Sequence, residues 1–131
     1  MKKNKNSGLD RNIRQSLSYL IKNNGPFRWG EILGFTKEEF LKHIEKEFQE
    51  GMTFDNYGTI WVISFHIPKR CYNFSSVRDE DFKRFWNLKN IAPKFLIDAQ
   101  HQKKQISKKE LDKYGLWDIL PIGNIADLLV D

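Results

Sequence analysis

The chain has 131 residues, one domain's worth, and its 40% hydrophobic and 14% aromatic content exclude an extended disordered protein. Its net charge of +5 favours an anionic partner. Cys71 alone excludes an internal disulfide or a thiolate metal cluster. No apolar run reaches the roughly 18 residues of a membrane span, and no apolar stretch follows the basic start MKKNKNSG, so neither a membrane partner nor a signal peptide is expected. An intracellular protein is expected, cytoplasmic or nucleoid-associated.

In chain order, residues 1–8 read as a flexible basic arm. From there Leu9, Ile13, Leu17 and Leu20 recur at helical spacing, with Arg11, Arg14 and Lys22 off the stripe, and Asn23-Asn24-Gly25-Pro26 ends the helix. WGEILG (29–34) is a short helical turn closed by glycine. Thr36 with Glu39 forms a capping box, Phe40, Ile44 and Phe48 form the apolar stripe that follows, and Gly51 is placed to terminate that helix.

Asp55-Asn56-Tyr57-Gly58 is turn chemistry leading into a strand over Thr59–Phe65, which Pro68 stops. A short helix is expected around Asp79–Trp86, anchored by Phe82, Phe85 and Trp86. Ile91–Phe95, interrupted by Pro93, reads as an edge strand. Asp98–Gln105 reads as a helix with Asp98 as its N-cap. Ser107 and Glu110 form a second capping box for a helix ending at Gly115, and the apolar tail LWDILPIGNIADLLVD packs back on the domain or serves as an assembly surface. With four tryptophans and ten phenylalanines, aromatics should dominate the core.

Charge is segregated along this order. Residues 1–30 carry Lys2, Lys3, Lys5, Arg11, Arg14, Lys22 and Arg28 against Asp10 alone. Residues 31–60 are acidic, with Glu31, Glu38, Glu39, Glu45, Glu47, Glu50 and Asp55 against Lys37, Lys42 and Lys46. Basic flanks around an acidic middle suit nucleic acid first. The bland alternative is a solubilising surface.

The stretch LGFTKEEFLKHIEKEFQEGMTFDNYGTIWVISFHIP resembles a group of HNH endonucleases of phages, mobile elements and large viruses. Its most specific piece is FQEGMTFDNYG, and RNIRQSL (11–17) is similar to their basic first helix. The resemblance covers roughly residues 9–105. It implies an α+β fold: a ββα-metal hairpin plus helix over 59–105, a helical N-terminal part over 9–58 and a C-terminal helical extension over 106–131.

Members of that group place an Asp metal ligand and a His general base late in the first strand, an orienting Asn before the second, and a further Asn ligand on the helix. Hard oxygen ligands suit Mg²⁺, and an imidazole near neutrality can take a proton from water. The ends of W-H-I-D-H-I-I-P fall on Trp61 and Pro68, so the Asp falls on Ser64 and the base on Phe65. Asn90, in N-I-A-P, matches the orienting Asn, and the second ligand falls on Ala99. Three of the four positions lack their chemistry.

His66 lies one residue past the base position, and strand alternation should turn it away. Phe65 is expected to fill the vacated pocket, with stacking on a base as the bolder reading. Ser64 could still touch a hydrated ion. His43 is expected to be a partly buried structural histidine, and Asn90 a structural residue opening the short strand. A rebuilt site would draw on His66, Asp98 and His101.

Three readings follow. The first is a non-catalytic HNH-like protein binding nucleic acid, DNA foremost, through Lys2, Lys3, Lys5, Arg11 and Arg14 on one side and Lys69, Arg70, Lys103 and Lys104 near the remnant site. It needs no cofactor. The second is an interaction module for a host or viral protein, favoured by the acidic second helix. The third is a nuclease with a displaced site, which would need Mg²⁺.

Overall fold

The amphipathic N-terminal segment forms α1 (Ser7–Asn23), with Ile13, Leu17 and Leu20 at most 1% exposed. The computed structural model describes residues 7–99 and 105–131. Asn24 adopts a left-handed conformation (φ 51°), and its N–H bonds Leu20 O at 2.8 Å, closing α1. A single turn, α2 (Gly30–Leu33), ends at left-handed Gly34.

The second amphipathic helix is α3 (Lys37–Lys46), and both bonds of its capping box form: Glu39 N–H to Thr36 Oγ1 at 3.0 Å and Thr36 N–H to Glu39 Oε1 at 2.9 Å. Thr36→Ala should cost about 1 kcal/mol, read as a lower urea midpoint at unchanged m-value. The helix stops before the expected Gly51. Phe48 leaves the helical stripe to pack edge-on against Trp61 at 5.2 Å and Phe54 at 4.9 Å. Gly51, at φ 97°, instead turns the following loop, its carbonyl accepting from Asn56 Nδ2 at 2.8 Å.

Strand β1 (Trp61–Phe65) starts two residues later than the Thr59 expected from sequence. Its connection to the next strand carries α4 (Glu80–Phe85), after which β2 (Ile91–Phe95) pairs antiparallel with β1, Trp61 opposite Phe95 and Phe65 opposite Ile91. Pro93 is tolerated because, among the described residues, this sheet has two strands, each without a ladder partner on its outer side. Strand β2 runs directly into α5 (Leu96–Ala99), so Asp98 lies inside the helix and is not its N-cap.

The C-terminal part comprises β3 (Ile106–Ser107), α6 (Lys108–Tyr114) and β4 (Leu129–Val130), with β3 and β4 parallel. Left-handed Gly115 (φ 66°) ends α6 as expected. The tail packs back on the core through Leu116, Ile119 and Pro121. Asp81 pins it by accepting Ile122 N–H at 3.0 Å, and the Tyr72 hydroxyl donates to Ile119 O at 2.7 Å. Burial pushes that hydroxyl's pKa far up, so it stays a donor.

The result is an α+β protein whose core is built around rings. Phe85 lies 4.4 Å from Phe65, 5.2 Å from Trp86 and 5.6 Å from Tyr72, centroid to centroid. Such pairs add about 0.5–1.5 kcal/mol each beyond the area they bury. No helix among the described residues is long and apolar enough to cross a membrane.

Candidate functional site

The positions that carry the resemblance lie at the end of β1, the start of β2 and the end of α5. Ser64, opposite Ala92, is 3% exposed, too enclosed for the hydrated ion considered from sequence. Phe65 fills the space beside it, its ring 4.4 Å from Phe85 and 5.3 Å from Trp86, with the Arg14 guanidinium 4.8 Å above it. Burial lowers the pKa of Arg14, opposed by the nearby Asp10 and Tyr57. A guanidinium nevertheless keeps its charge at neutral pH.

Asn90 is fully buried, and its side chain is held by hydrogen bonds to two neighbouring segments. Its Oδ1 accepts Ile67 N–H at 2.8 Å, while Nδ2 donates to Ile67 O at 3.2 Å and to Phe85 O at 2.9 Å. The side chain therefore ties the exit of β1 to the end of α4. His43 is also engaged: its Nε2 lies 2.6 Å from Ile91 O, tying α3 to β2.

His66 diverges from Phe65. Its ring stacks on Tyr114 at 4.0 Å, and its Nδ1 lies 3.6 Å from Glu110 Oε2, so it contacts α6 and not the groove side of the hairpin. Glu110 accordingly completes only half of the expected capping box: its N–H donates to Ser107 Oγ at 3.3 Å, while its carboxylate turns to His66. The His66 imidazole, 3.6 Å away, holds the Glu110 carboxyl below its ordinary range, against a smaller opposing effect of burial.

A depressed carboxylate pKa contributes stability above its unfolded value, lost as pH falls through the folded one. Glu110 is half exposed, so the effect should stay within about 1 kcal/mol. Glu110→Gln should lower the urea midpoint near neutral pH, and the difference should shrink as pH falls through the folded carboxyl's pKa.

Phe65 and Ala99 offer a divalent ion no ligand: a phenyl ring and a methyl group stand where the resemblance implies a base and an oxygen ligand. Among the described residues, no three His, Cys, Asp or Glu side chains converge on a common point. Asp98 is exposed on α5, whereas His66 contacts Glu110 and Tyr114 on α6, and His101 lies outside the described residues.

The structure does assemble a basic groove. Along α1, Arg11, Gln15, Ser18 and Lys22 recur at i, i+4, i+7 and i+11, and with Arg14, Tyr19 and Lys69 they line a cleft of about 580 Å³. A second cleft of about 430 Å³ shares Arg14 and Ser18 and is completed by Tyr57, Val62, Ile63 and Ala99. The Ser18 and Tyr57 hydroxyls, 2.7 Å apart, join the two walls. Arg14 thus stands over Phe65 and lines one cleft with Ala99, two of the positions that carry the resemblance.

The sequence placed Arg11 and Arg14 apart from Lys69, whereas all three line one groove. Lys69 is not a free cation there: its ammonium pairs with Asp10, which is 5% exposed and also accepts Trp86 Nε1–H at 3.2 Å. Arg70 is exposed but outside the groove lining. Lys2, Lys3, Lys5, Lys103 and Lys104 lie outside the described residues. Sequence reasoning missed Tyr19, and it counted Lys22 among the basic residues of the N-terminal segment without placing it among the nucleic-acid contacts. The i, i+4, i+7, i+11 polar row on α1 was the available signal.

No family model matches the chain, and no solved structure matches it. It is similar to two uncharacterized proteins of Acanthamoeba polyphaga mimivirus. One is 28% identical over 104 residues, covering 78% of this chain and 45% of the relative. The other is 35% identical over 63 residues, covering 48% of this chain and 27% of the relative. The chain therefore spans less than half the length of either mimivirus protein.

Proposed function

We propose that the chain is an HNH-endonuclease-like protein with a degenerate active site, which binds nucleic acid, DNA foremost, through the basic groove on α1. The observation that carries this reading is Arg14. It belongs to the cationic row of α1 and also covers Phe65 and lines one cleft with Ala99, the positions the resemblance assigns to the base and to a ligand. The antiparallel β1–β2 pair running into α5 has the strand–strand–helix order of a ββα unit, which supports the same assignment.

Phosphate contacts from Arg11, Arg14 and Lys22 would give affinity without sequence readout. The similarity to the two mimivirus proteins supports a viral origin for the chain. A host or viral protein partner is the second reading. It draws on the Trp117 and Ile122 side chains, 47% and 63% exposed on the C-terminal tail. The acidic helix lends it less, because Lys42 and Lys46 share the solvent side of α3 with Glu38 and Glu45 and interrupt any phosphate-like row. A displaced metal nuclease built on Asp98 and His101 is the third.

The test is fluorescence anisotropy on labelled DNA across a salt series in EDTA, followed by Mg²⁺ and Mn²⁺ on the same samples and a gel. Binding that weakens with salt while the DNA stays intact is expected. Absence of binding at low salt would overturn the reading in favour of a protein partner. Metal-dependent cutting abolished by Asp98→Ala would establish the displaced site instead.

A further inference from the structure

The ring of Tyr19 is exposed in the middle of the basic groove, and we propose that it is a stacking platform for an unpaired base, so that the groove takes a strand with unpaired nucleotides in preference to a closed duplex. This inference rests on the nucleic-acid reading above.

Tyr19 is 56% exposed, with Arg11, Arg14 and Lys22 on the same helix beside it. The other tyrosine of the clefts is committed elsewhere. Tyr57 has its hydroxyl against Ser18, its ring edge-on to Trp61 at 4.8 Å, and Lys22 Nζ at 5.8 Å above it. Among the described residues, no ring or cation stacks on Tyr19.

The chain holds Tyr19 in place. Left-handed Asn24 turns the backbone at the end of α1, so that Gly25 comes back against the Tyr19 ring. A Cβ at Gly25 would lie 2.6 Å from Tyr19 Cε1 and 3.0 Å from Cδ1. Glycine lets the ring rest against the backbone, which positions it while leaving it open to the groove.

The cations explain why the ligand is an anion, and the ring explains which form of it. The row from Arg11 to Lys22 spans about 16 Å of helix, long enough to follow a few phosphates. In a closed duplex, neighbouring bases cover each base's faces, so an exposed phenol ring finds nothing to stack on. A strand with unpaired bases offers a face beside each phosphate, and ring–base stacking tolerates any sequence. Lys69, neutralised by Asp10, leaves the cationic row to one side of the cleft, as a single backbone requires.

The experiment compares a labelled oligothymidylate with a blunt duplex by anisotropy, for the full chain and for Tyr19→Ala, Tyr19→Phe and Gly25→Ala, each checked for folding by circular dichroism. Tyr19→Ala should weaken single-strand binding roughly tenfold. It should leave the salt slope unchanged, because no phosphate contact is lost, and change duplex affinity by less than about twofold. Tyr19→Phe should retain binding, and Gly25→Ala, which pushes the ring from its seat, should weaken single-strand binding by an intermediate amount. An unchanged single-strand affinity, or equal losses on both ligands, overturns the stacking role while leaving the nucleic-acid reading intact. If the unmodified chain binds neither ligand, both readings fall.

Discussion

Asn90→Ala should destabilise the protein by about 3 kcal/mol, among the most severe effects of any single substitution outside the aromatic core. The truncation strips a partner from Ile67 N–H, Ile67 O and Phe85 O at a site with no solvent access. Each buried polar group left unsatisfied costs about 1–3 kcal/mol, and the three losses are partly shared through relaxation. Asn90→Asp should fare no better, since it keeps one acceptor, loses both donors and buries a charge. Chemical denaturation followed by circular dichroism reads the effect, and a loss below about 1 kcal/mol would mean the contacts are not maintained in solution. The resemblance gives this asparagine the task of steadying a catalytic histidine. With Phe65 in that histidine's place, the amide holds the exit of β1 to α4.

Phe65→His should also be costly, by about 2 kcal/mol, and should not create a nuclease. The imidazole would replace a ring that lies within 4.4 Å of Phe85 and 5.3 Å of Trp86, in a pocket that leaves Phe65 only 8% exposed. The Arg14 cation at 4.8 Å would further disfavour its protonated form. An imidazole alone brings no metal to stabilise the leaving oxygen, and Ser64 and Ala99 supply no ligand set. The expected outcome is a lower thermal midpoint and intact plasmid in Mg²⁺. Nicking by this single variant would mean that a metal site survives nearby.

What the sequence makes legible here is mostly local. The Thr36–Glu39 box, the left-handed stops at Gly34 and Gly115, and the short strand with its proline each depend on a few neighbouring residues, and each forms as expected. The failures are tertiary. Helix α3 ends before Gly51 because Phe48 is needed against Trp61, a contact no local pattern encodes. Asp98 looks like a cap, yet β2 continues into α5 without the break that a cap would serve. Glu110 belongs to a capping-box pattern but is drawn to His66 across the fold.

The groove was the least legible feature. Arg11 and Lys69 are 58 positions apart in sequence and meet only because α1 lies over the exit of β1. Composition showed that an anion was favoured. It did not show that one of the cations would be consumed by Asp10, nor that Tyr19 would stand among the rest.

The most direct test of nucleic-acid binding through α1 is the slope of log Kobs against log salt for the unmodified chain and for Arg11→Ala/Lys22→Ala. Both side chains are exposed and neither packs in the core, so folding should be unaffected. Each cation removed from a phosphate should make the slope shallower by about 0.7 for single strands or about 0.9 for duplex. The account therefore predicts a change of about 1.4 to 1.8 for the double variant, with weaker binding at every salt concentration. An unchanged slope and affinity would contradict it, because the groove on α1 would then not be where nucleic acid binds.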